Sequence, residues 1–215
     1  MSVLSYQTIE KTTTGEYKEK GSKFISIAFP VSTVSRFMDI LEEVKDQYPK
    51  ARHYCWAYKM DYDGTTRRLN DDGEPSGTAG KPIMGQLDSF NLTNLGIIVV
   101  RYFGGTKLGV TGLIQAYKTS SEAALSINAI VEKKVETKIE LNYNDHIYAK
   151  IQIVIGTVKQ LVTDIEYTNA NSIRFKVALM NKDQLINKIN EILTGYKMEQ
   201  YEDSYDNWKI TEVSL

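Results

Sequence analysis

Glycine and proline are confined almost wholly to one part of this chain, and that confinement limits the folds open to it. All four prolines (Pro30, Pro49, Pro75 and Pro82) and 12 of the 14 glycines precede residue 135; only Gly156 and Gly195 follow. A break of this kind in the residues that punctuate a backbone marks two differently built domains. The expected boundary lies at Lys133-Lys134, giving domains 1–134 and 135–215. At 215 residues the chain is long enough for each part to own a core.

The second part carries the more regular pattern. Residues 136–143 alternate apolar and polar as a half-buried strand does, and 145–161 place apolar residues at helical spacing. Residues 163–167 and 172–180 read as strands joined by a turn at Thr168-Asn169-Ala170-Asn171. A helix over 182–194 and a strand over 198–211 complete the series. Strand, helix, strand, strand, helix, strand is the split βαββαβ order of a ferredoxin-like domain.

In the first part, residues 6–13 and 22–29 read as strands paired through the Gly15 region. Residues 31–48 set Val34, Phe37, Met38, Leu41 and Val44 at helical spacing, with Ser32 or Thr33 as N-cap and Pro49 as the stop. Residues 52–61 alternate: Tyr54, Trp56, Tyr58 and Met60 share one face, His53, Cys55, Ala57 and Lys59 the other. A turn at Asp63-Gly64 leads into a return strand over 65–70. A short helix over 82–90 precedes a buried strand over 96–103. The last element is a long helix through Leu113, Ile114, Tyr117, Ala124, Leu125 and Ile127. The expected class is α+β.

Composition excludes several functions. No apolar stretch approaches the roughly 20 residues of a membrane span, and no apolar signal core opens the chain, so it reads as cytoplasmic. One cysteine, Cys55, rules out an internal disulfide, and two histidines give zinc almost no ligands. No cofactor is expected. The net charge of −1 announces no global basic field. Its distribution is uneven: 17 Lys and Arg against 15 Asp and Glu up to Lys134, then 9 against 12. Any contact with nucleic acid therefore falls to a local patch in the first domain.

Two glycine-rich segments carry the chemistry. The second, Arg101-Tyr102-Phe103-Gly104-Gly105-Thr106-Lys107-Leu108-Gly109, joins a strand to a helix. Unpaired amides at a helix N-terminus attract anions, and Arg101 and Lys107 would add a fork and a point charge. Gly104, Gly105 and Gly109 allow close approach, while the missing Gly-Lys-Ser/Thr ending excludes a nucleotide P-loop. Alternatively, the glycines serve strand-on-helix packing and the charges are solvated.

The first segment runs from Asp71 to Pro82 and gathers Asp71, Asp72 and Glu74 within four positions. Those carboxylates suit an acid–base or divalent-metal site, though the spacing lacks EF-hand alternation. As a structural turn they would bond backbone amides or pair with Arg67, Arg68 or Arg101. Thr78 or Ser76 needs a base to act as nucleophile, and His53 is the one candidate, with Cys55 two residues away. The Tyr54/Trp56/Tyr58/Met60 stripe suits either base stacking or packing beneath a helix. Glu199, Glu202, Asp203 and Asp206 form an acidic edge.

Lys20 to Ile25, Ala51 to Tyr58, Asp71 to Pro82 and Val99 to Gly109 together resemble the IMPACT family in its bacterial, YigZ-type form. The resemblance spans almost the whole chain. It implies a ribosomal-protein-S5-domain-2-like first domain and a ferredoxin-like second, similar to the fourth and fifth domains of translation elongation factor G. It also implies a place in translation: eukaryotic relatives act under amino-acid starvation by competing for the activator of a stress kinase. The chain departs from the family pattern at Thr111 (usually Gly), at Gln115 (usually Arg) and at Tyr54 (often Asn).

The reading is a translation-associated regulatory protein that binds RNA, the ribosome or a translation-linked protein. Arg101, Gly104, Gly105, Lys107 and Gly109 form its anion site, with Lys20 and Lys23 as outer contacts. Two alternatives stand beside it. One is a small-molecule hydrolase using Asp71, Asp72 and Glu74 with His53. The other is a protein-interaction module presenting Asp71, Asp72, Glu74 and Thr78 to a basic partner.

Overall fold

Near-continuous burial over three central strands explains the first compact unit, residues 5–133. A computed structural model describes residues 3–195, 204–205 and 207–213. In β3 (Ser22–Pro30), β4 (His53–Met60) and β6 (Leu95–Tyr102), nearly every residue is buried. Neighbouring residues point to opposite faces, so both faces need cover. With β2 (Thr13–Glu19) and β5 (Thr66–Asn70) these strands form an antiparallel sheet in the order β2-β3-β6-β4-β5.

One face carries Ile25, Ile27, Phe29, Trp56, Tyr58, Met60, Ile98 and Val100 beneath α1 (Val34–Gln47). The Phe37 ring of α1 lies 5.2 Å from Trp56 and 4.9 Å from Tyr58. The aromatic stripe is therefore core, which removes it from base stacking. The other face carries Phe24, Ala28, Cys55, Ala57, Ile97 and Val99 beneath α2 (Gly80–Ser89) and α3 (Gly109–Ser126). Thr33 caps α1 by accepting from the Arg36 amide, as expected from its place before the apolar series.

Four local expectations fail for identifiable reasons. Gly15 is no turn: it lies inside β2, where a Cβ would come within 2.4 Å of the Ala124 backbone of α3. The turn falls instead at Lys20-Gly21, both at positive φ, and pairs β2 with β3. Residues 5–9 form a separate strand, β1 (Ser5–Ile9), that pairs with β7 (Ile130–Lys134), which short-range pattern did not reveal. Val34 and Met38 of α1, and Ile114 and Ile127 around α3, face outward rather than into the core.

The second unit contains residues 134–215 with the first four residues. β8 (Glu136–Tyr143) alternates between half-buried and buried positions throughout. A single 3-10 turn (Asp145–Ile147) precedes α4 (Tyr148–Val158), then come β9 (Val162–Asn169), β10 (Ser172–Ala178) and α5 (Lys182–Thr194). β11 (Ser204–Tyr205) and β12 (Trp208–Val213) end the described chain. The sheet order β11-β12-β8-β10-β9 is antiparallel, the ferredoxin-like arrangement expected. Its core joins Ile139, Leu141, Phe175 and Trp208 to Ile151, Val154, Leu185 and Ile189 of the two helices. The start of the strand expected over 198–211, and the acidic edge Glu199, Glu202, Asp203 and Asp206, lie outside the described residues. No helix among the described residues is long and apolar enough to cross a membrane.

Candidate functional site

The two glycine-rich segments meet at one cleft of about 500 Å³, lined by Arg52, His53, Glu74, Phe103, Lys107 and the first turns of α3 among others. Its floor follows from strand register. His53 and Arg101 are ladder partners across β4 and β6, so both side chains emerge on the α3 face of the sheet. Arg101 is only 5% exposed. Its Nη1 donates to Glu74 Oε1 at 2.5 Å, and the same oxygen accepts from the Tyr117 hydroxyl at 2.7 Å. The guanidinium also sits 5.3 Å from the Phe24 ring centre and 5.6 Å from that of Phe103. Arg101 is therefore already neutralised inside the protein. It is no open fork for a partner's phosphate, contrary to the sequence expectation.

The three carboxylates do not converge. Asp71 is turned into its own loop, where its oxygens accept from the amides of Gly77, Ala79 and Gly80 at 2.8–3.0 Å. Burial pushes its pKa upward, but those amides and the Lys81 charge outweigh it and hold the group below its ordinary value. Asp72 accepts from the Tyr54 amide at 2.6 Å. Only Glu74 reaches the cleft, and at 8% exposure it cannot serve as surface bait for a basic partner. Thr78 is buried as well, its hydroxyl donating to the Pro75 carbonyl at 2.7 Å. That contact removes it as a nucleophile and as a docking residue.

The His53 ring is anchored through Nδ1. Its Nδ1 lies 2.8 Å from the Asp72 carbonyl oxygen, and a carbonyl only accepts, so Nδ1 carries the proton. Its Nε2 lies 3.9 Å from Glu74 Oε1, and in the Nδ1–H tautomer this nitrogen offers a lone pair. Cys55 takes no part. It is fully buried, its thiol donates to the Asp71 carbonyl at 3.0 Å, and burial above all pushes its pKa up, with the nearby acids adding to this. Burial likewise raises the pKa of Tyr117, keeping it a neutral donor to Glu74.

The charge available to a ligand lies at the rim. Lys107 and Arg52 are exposed and line the cleft, and neither makes an ion pair among the described residues. The N-terminus of α3 beside them has no side-chain cap. Open space fronts Gly105 and Gly109, both at positive φ, since an added Cβ at either would meet nothing within 4 Å. Gly104 instead serves packing: a Cβ there would lie 1.9 Å from the Gly21 backbone. Thus the β2–β3 turn carrying Lys20 abuts the loop. Lys23 pairs with Glu16 at 2.7 Å, and neither lysine lines the cleft.

Arg52, Phe103 and Tyr117 were not singled out by motif reasoning. Arg52 follows from its place one residue before the strand that carries His53. Tyr117 lies eight positions beyond Gly109, on the face of α3 that meets the sheet. The residue at the Gln115 departure does not line the cleft; its amide donates to the Thr119 hydroxyl at 2.9 Å.

Fold and cleft together define an α+β protein in which an S5-domain-2-like unit, bearing an uncapped helix mouth, is joined to a ferredoxin-like unit. A family model described as the Impact N-terminal domain matches residues 20–125. The chain is 32% identical over 179 residues to IMPACT family member YvyE of Bacillus subtilis, spanning 83% of this chain and 82% of that one. To IMPACT family member YigZ of Escherichia coli it is 32% identical over 150 residues, covering 69% and 74%. A solved structure described as that of an hypothetical protein covers 100% of this chain and 98% of its own, with 25% identity and a TM-score of 0.74. The chain belongs to the IMPACT family.

Proposed function

We propose that this protein is a translation-associated regulator that docks on RNA of the translation machinery, the ribosome first, through the mouth of the cleft. Family membership supports the translational setting. The observation that carries the contact is that two exposed cations, Arg52 and Lys107, line the same cleft as the uncapped N-terminus of α3. Helix amides and lysine or arginine together are the usual seat of a backbone phosphate. Arg101 contributes from below through its contacts with Glu74 and Phe103, not by pairing with the partner's phosphate.

The test is retention on purified ribosomes as salt is raised. Phosphate contacts release counterions, and each one lost lowers the slope of log K against log salt by roughly 0.7–0.9. Combining Arg52→Ala with Lys107→Ala should therefore flatten the dependence by about 1.4–1.8 and abolish retention at moderate salt. Far-UV circular dichroism should be unchanged, because both side chains are exposed. Equal retention of this folded double variant and the parent rejects the reading.

A further inference from the structure

Beside the charged mouth, the cleft has a volume and a lining that a passing phosphate backbone would not use. About 500 Å³ matches the volume of a small-ligand site. One wall is apolar: Phe103 is 43% exposed and Val110 59%, with Leu108 and Leu113 beside them. The floor is polar and incompletely bonded. Arg101 Nε has no hydrogen-bond partner although the residue is 5% exposed, and it lines the cleft. Its ladder partner His53 bonds the Asp72 carbonyl through Nδ1, which leaves Nε2 as an acceptor in the Nδ1–H tautomer. A donor without an acceptor and an acceptor without a donor, on paired residues, together suit a hydroxyl group, which does both.

We propose that this cleft holds a single ribonucleotide. Its phosphate would rest on the first turn of α3 between Arg52 and Lys107. Its flat base would lie against Phe103 and Val110, and a sugar hydroxyl would reach His53 Nε2 and Arg101 Nε. This rests on the reading that the α3 mouth takes phosphate, and adds the ring and the hydroxyl as determinants. The nucleotide has two sources, a free mononucleotide or the terminal residue of an RNA strand.

Calorimetric titration of the full chain with AMP, GMP, CMP and UMP, with inorganic phosphate, and with a single-stranded hexaribonucleotide tests it. At least one ribonucleotide should bind with a Kd below about 1 mM, and inorganic phosphate should bind at least tenfold more weakly. Phe103→Ala and His53→Ala should each weaken the ribonucleotide at least tenfold. Val110→Asp should do the same by repelling phosphate, while leaving the fold intact because the position is exposed and an acid suits a first helical turn. Mononucleotide binding lost in these variants assigns the free ligand. Binding of the hexaribonucleotide alone, lost in the same variants, assigns the strand terminus. No ribonucleotide binding up to about 5 mM, or binding indifferent to Phe103→Ala and Val110→Asp, overturns the proposal. If Arg52→Ala/Lys107→Ala still impairs ribosome retention in that case, phosphate docking stands and only the nucleotide site falls.

Discussion

Glu74 and Arg101 are the residues around which the site is organised, and their burial decides how they can be probed. An ion pair in this setting contributes little net stability, yet removing one partner strands the other charge away from water. Glu74→Ala should cost about 3–5 kcal/mol in urea unfolding, since it also deprives the Tyr117 hydroxyl of its acceptor. Arg101→Ala should lose a similar amount, so lost binding in that variant would report damage and not contact. Arg52 and Lys107 are the informative positions, because neither is needed to hold the cleft. A loss above about 1 kcal/mol on mutating either would contradict the view that they are free.

At the scale of elements, two loops are built to hold the mouth of α3 open. Asp71 ties the first loop to the start of α2 through three amides. Asp71→Ala should leave those donors unpaired and destabilise by about 2–4 kcal/mol, read as a lower urea midpoint with unchanged slope. The second loop depends on the close approach of Gly104 to the β2–β3 turn. Gly104→Ala should displace it, with reduced ligand binding and a smaller stability loss of about 1–3 kcal/mol. The sheet was legible because alternation in residues 52–61 and 136–143 leaves one solution per face. The Lys182–Thr194 helix was legible too, its stop at Gly195 marked by an αL cap. β7 was hidden because a short edge pair with β1 is a long-range event that leaves no local period. The structural-turn alternative for the carboxylates holds, with Asp71 on backbone amides and Glu74 on Arg101. Arg101 as an open anion fork does not hold, for a related reason. Sequence places charges near one another but does not say which are turned inward, and ladder register with burial decided that.

Across the whole molecule, the first unit encloses two apolar clusters, one on each face of its sheet, and the second encloses one and adds charge pairs on its sheet. Its carboxylates make the chain sensitive to acid. The Arg174 guanidinium holds Glu140 below its ordinary value of 4.5, and the Lys182 ammonium does the same for Glu212. A depressed carboxylate stabilises the fold above its unfolded value and loses that contribution as pH falls through the folded one. The thermal midpoint should therefore hold between about pH 7 and 5 and fall below about pH 4.5, with Arg174→Gln reducing the drop. The central claim concerns the mouth of the cleft, and co-sedimentation with ribosomes between about 50 and 200 mM salt tests it most directly. Binding by the parent that weakens steeply across this range, and is abolished in Arg52→Ala/Lys107→Ala, is the predicted result. Binding that is indifferent to salt, or identical in the two proteins, contradicts it.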